Sequence, residues 1–174
     1  CVILVSPVSA ADPDYSQFDW DAAGKIVVQS GGRVKPMDTF ARELVAMVTG
    51  KARFNGEHPV QTYFRWMSDG ERWSSEPLVY LPKSDLRTRM GLNDHEGKLF
   101  SLVELQSNQA LFQVAMEGQA REEAGDKLTF TQSKANELFN RMHVLQAVFT
   151  HEHPLLVPTD AEDPMVPWHS MPTA

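Results

Sequence analysis

At 174 residues, 42% of them hydrophobic, the chain is long enough for one domain with a real core, and a wholly disordered chain is excluded. Sixteen Lys and Arg against 23 Asp and Glu leave a net charge of −7, with the cations scattered singly. A nucleic-acid binder gathers its cations on one face, so that class is set aside, and the lone cysteine, Cys1, excludes an internal disulfide or a cysteine-built zinc site.

The first ten residues, "CVILVSPVSA", join an apolar run to a Ser-Pro break and a small-x-small ending at Val8-Ser9-Ala10. This pattern is expected of the remnant of a signal sequence or membrane segment, with the rest of the chain extracytoplasmic. Two other readings stay open: a lipidated Cys1, and the buried first strand of a cytosolic protein. After this run no stretch approaches the ~18–20 apolar residues that a membrane-crossing helix needs.

Residues 11–24 read as a linker docked through Phe18 and Trp20, and Lys25 to Gln29 as a short strand ended by a turn at Gly31 and Gly32. Met37, Phe40, Ala41, Leu44, Val45 and Val48 then recur at helical spacing, with Pro36 suited to the first turn and Gly50 to the stop. The opposite face carries Asp38, Thr39, Arg42 and Glu43. A second helix is predicted from about Pro59 to Ser68, then a strand in "LVYLP", a helical turn from Ser84 to Met90 and a loop in "GLNDHEG". Ser101 and Glu104 form a capping box flanked by Phe100 and Leu105, which predicts a helix from Ser101 towards Arg121 with a weak point at Gly118. A last long helix is predicted from about Thr131 to Phe149 on a stripe of Ala135, Leu138, Phe139, Met142, Leu145 and Phe149. "PLLVP" reads as extended, and residues 159–174, broken by Pro164, Pro167 and Pro172, as a linker or tail. The expected fold is mainly α with two or three short β-strands: one compact helical domain over residues 25–158, with extended N- and C-terminal segments.

The common phosphate-cradling, hydrolase and zinc-protease motifs are missing from the sequence. His151 and His153 flank Glu152 and are candidate metal ligands, but a stable site needs three or four converging donors, and a polar helix end is the plainer reading. His143 beside the last helical stripe is a candidate haem ligand or a hydrogen-bonded histidine at the core edge. No nucleophile, base and orienter form a recognisable catalytic set. The aromatics Tyr63, Phe64, Trp66 and Trp73 either line a groove or pack the core.

The stretch "VVQSGGRVKPMDTFARELV" is harder to explain by packing alone. It resembles the run hydrophobic-x-Q-x-G-G-R-x-K-P-hydrophobic-[DN]-T-x-A-R-E of the extracytoplasmic part of CcsA/ResC-type cytochrome c biogenesis proteins, of the system II haem lyase pathway. Trp73, Pro77 and Leu78, "FSLVEL", "ELFNRMHVL" and "LLVP" extend the likeness, which covers about Lys25 to Pro158. That family carries haem across the membrane and presents it to an apocytochrome through membrane-embedded histidines and a tryptophan-rich segment. This sequence has neither, so the family's haem ligands fall on none of its residues.

The resemblance implies an extracytoplasmic, membrane-associated scaffold that positions apocytochrome c or a partner membrane subunit, with haem entering only through the wider system. The expected interaction motif is Gly31, Gly32, Arg33, Lys35, Pro36, Asp38, Thr39 and Arg42, with Arg33, Lys35 and Arg42 as a cationic edge able to grip carboxylates. The alternative is a free-standing periplasmic protein-interaction or ligand-binding module without catalytic activity.

Overall fold

The computed structural model describes residues 15–152, 155–157, 166 and 168–170. Elements in chain order are a short 3₁₀ turn at Tyr15–Gln17, then α1 (Trp20–Ala23), β1 (Val27–Ser30), β2 (Arg33–Pro36), α2 (Met37–Thr49), α3 (Pro59–Ser68) and α4 (Gly70–Ser74). They continue with β3 (Val79–Tyr80), α5 (Asp85–Arg89), β4 (Leu99–Phe100), α6 (Leu102–Gln106), α7 (Gln109–Glu123), α8 (Phe130–Phe149), β5 (Leu155–Val157) and β6 (His169–Ser170). The described residues are mainly helical, with two small antiparallel sheets among them.

The helical stripe of α2 is the centre of the core. All six of its apolar positions, Met37 through Val48, are buried, and α2 packs on α3 and α8. From α3 come Val60, Tyr63 and Trp66, and from α8 come Ala135, Leu138, Met142, Leu145 and Val148. Phe139 and Phe149, expected on the buried stripe of α8, lie half-buried at its margin. Tyr63 and Trp66 are wholly buried, and Phe64 and Trp73 pack against the core, so this aromatic run is core packing.

Three local features differ from the sequence reading, each for a physical reason. The strand before α2 is half of a hairpin: Gly31 and Gly32 take φ of 59° and 71°, the doubly left-handed turn that matches strand twist, and β2 pairs back on β1. The helix predicted from Ser101 to Arg121 is two helices, because the Asn108 side chain accepts from the Leu111 amide and caps α7 anew. Helix α8 starts a residue early, on a capping box in which Thr129 and Gln132 each bond the other's backbone amide. Gly118, expected as a weak point, is buried where α7 meets Leu128 and Gln132; a β-carbon there would sit 3.3 Å from Leu128 Cδ2.

The sheet order β2-β1-β5-β6 joins the hairpin to residues far along the chain. Gln29, buried in β1, donates from Nε2 to the Val166 carbonyl and accepts at Oε1 from the Trp168 amide. Part of the stretch read as a tail, His169–Ser170, therefore runs beside β5.

Candidate functional site

Pro36 has no side chain that can cap α2, so another part of the chain does so. The amides of Met37 and Asp38 donate to the carbonyls of Ile26 and Gly24, at 2.7 and 3.0 Å. Gly24 is buried at this contact, and a β-carbon on it would lie 3.1 Å from the Asp38 β-carbon. The hairpin, α1 and the first turn of α2 are thereby locked into one unit.

Beside this joint is an open cleft of about 640 Å³ lined by Pro36, Asp38, Thr39 and Arg42 of the motif, together with Asp21, Gly24, Lys25, Arg53 and His58. Arg42 grips Asp38 with Nη2, at 3.0 Å to Oδ1 and 2.8 Å to Oδ2. Among the bonds between described residues, Nε and Nη1 of Arg42 are not engaged, so they can meet a partner's oxygen atoms. His58 caps α3 by accepting from the Val60 amide at Nδ1, which places its proton on Nε2. That nitrogen faces Asp21 Oδ1 at 3.5 Å and Asp38 Oδ1 at 3.7 Å. The cleft thus holds cations and carboxylates side by side, a surface suited to a polar segment that brings charges of both signs.

The other motif residues lie close by. Gly31, Gly32 and Arg33 form the exposed tip of the hairpin, and Lys35 reaches across to Glu43 on α2 at 2.7 Å. The sequence reading missed Lys25, Arg53 and His58, which come from the α1–β1 and α2–α3 connections; their only signal is the fold that brings these loops to the start of α2.

The histidine candidates are elsewhere. His143 is exposed on α8 and lines neither this cleft nor the cavity at the far end of α2. His151 closes α8 with a left-handed φ of 60°, and its Nε2 lies 2.8 Å from the Met67 carbonyl. His153 lies outside the described residues. Among the described residues no three His, Cys, Asp or Glu side chains gather as a metal site requires, and no helix is long and apolar enough to cross a membrane.

No family model matches the chain. Over 79 residues it is 27% identical to Protein NrfI of Wolinella succinogenes, a match that covers 45% of this chain and 9% of that protein. The chain thus aligns with under a tenth of the relative's length.

Proposed function

We propose that the chain is an extracytoplasmic portion of a system II cytochrome c assembly protein, a scaffold that holds apocytochrome c or a partner membrane subunit in place for haem attachment. One observation carries this reading: four residues of the motif on which the family resemblance rests, Pro36, Asp38, Thr39 and Arg42, share the wall of one cleft. Core packing explains Met37, Phe40 and Leu44 and leaves these polar neighbours unexplained. The Asp38–Arg42 pair is preorganised, with Nε and Nη1 not engaged among the described residues, and can take a carboxylate or a main-chain carbonyl of a bound segment. The distant NrfI likeness agrees with this context.

The test is site-specific photo-crosslinking in cells that make c-type cytochromes. A photoreactive residue at Thr39, exposed on the cleft wall, is expected to capture apocytochrome c or a membrane subunit of the assembly machinery. The same probe at Gln113, exposed on α7, is expected to capture neither. Equal capture from both positions, or none from Thr39, would contradict the proposal.

A further inference from the structure

At the other end of α2 lies a second cavity of about 600 Å³, a size that suits a small molecule. Its wall carries Lys51, Arg53 and Lys98, with no Asp or Glu among its lining residues. In a chain of net charge −7 this is a local reversal of sign. Among the described residues, none of the three cations makes an ion pair. Such a wall offers an anion several cationic donors at once.

The cavity is built rigidly. Gly50 takes a φ of 75°, and a β-carbon on it would meet the Tyr80 ring at 3.0 Å, so only glycine lets the loop lie against that ring. Thr49 Oγ1 accepts from the Lys51 amide and donates its one proton to the Val45 carbonyl at 2.8 Å. Phe54 anchors the loop by packing edge-on against buried Trp66, and Asn55 holds a left-handed φ of 51° at the rim. Outside the cavity, wholly buried Arg87 donates to the carbonyls of Leu92, His95 and Gly97 and so fixes the loop that delivers Lys98. Arg141 reaches over the last turn of α2 to the Met47 carbonyl, which offsets the negative end of that helix.

We infer that this cavity is a binding site for a small multivalent oxyanion, a phosphate or carboxylate compound held by Lys51, Arg53 and Lys98. The site goes beyond the scaffold reading, because Lys51 and Lys98 stand apart from the motif cleft.

Isothermal titration of the chain with inorganic pyrophosphate and, separately, citrate tests the inference at about 50 mM salt, where surface charges are least screened. Saturable one-to-one binding is expected with at least one probe. Pyrophosphate alone would mark a phosphate ligand, and citrate alone a carboxylate ligand. Lys51→Gln and Lys98→Gln are each expected to weaken binding about tenfold, the worth of one charge-assisted contact. Lys127→Gln, exposed in the α7–α8 turn, is expected to leave it unchanged. Failure of both probes to saturate would overturn the inference. So would unaltered binding by a Lys51→Gln/Arg53→Gln/Lys98→Gln variant whose circular dichroism and melting match the parent.

Discussion

The two faces of α2 are made from one continuous run of thirteen residues, yet they answer to different demands. The inner face, from Met37 to Val48, is apolar and sealed by α3 and α8, so its residues are accounted for by burial. On the outer face Asp38, Thr39 and Arg42 touch the cleft and bury little, so their identity is not set by stability. A helix of this kind separates residues that hold the fold from residues the fold displays.

Substitutions can break that contrast or sharpen it. The largest effect belongs to the inner face: Leu44→Ala should cost about 2–5 kcal/mol in denaturant unfolding, through lost burial and a residual cavity. Next, Gly50→Ala forces a left-handed residue against the Tyr80 ring and should cost about 1–3 kcal/mol. Removing the outer ion pair with Arg42→Ala should cost only about 0.2–0.5 kcal/mol, the worth of an exposed i, i+4 pair, and a loss above 2 kcal/mol would erase the distinction between the faces.

Alkaline pH provides a further probe of the inner face. Tyr63 packs edge-on against Phe40, and burial pushes its hydroxyl well above the usual tyrosine range. The folded chain then holds this proton while the unfolded chain releases it above pH ~10. Stability is therefore fully present below that point and is lost as pH rises through the folded value. Tyr63→Phe should flatten this alkaline loss, as pH-dependent denaturant midpoints would show; an unchanged slope would place Tyr63 in contact with water.

Much of this fold was legible because its longest elements are periodic. The stripe of α2 and the bounds of α3 follow from spacing, a proline start and a glycine stop. Elements whose partners are remote in sequence were not legible. β2 and β4 are edge pieces with no alternation of their own, and β6 forms by pairing with β5. Asn108 was overlooked because a cap inside an otherwise helical pattern is indistinguishable from a surface asparagine until the chain turns there. The motif was visible as a run of residues, but the cleft was not, since Lys25, Arg53 and His58 reach it only through the packing of α1 and α3 against α2.

The most direct test of the central claim is the yield of mature cytochrome c, measured by covalent haem stain, in cells carrying Asp38→Ala and Arg42→Ala together. The scaffold account predicts a yield reduced about tenfold, the consequence of losing one bidentate charge-assisted contact, while chain abundance and melting temperature stay at the parental level. Undiminished maturation in that variant would contradict it.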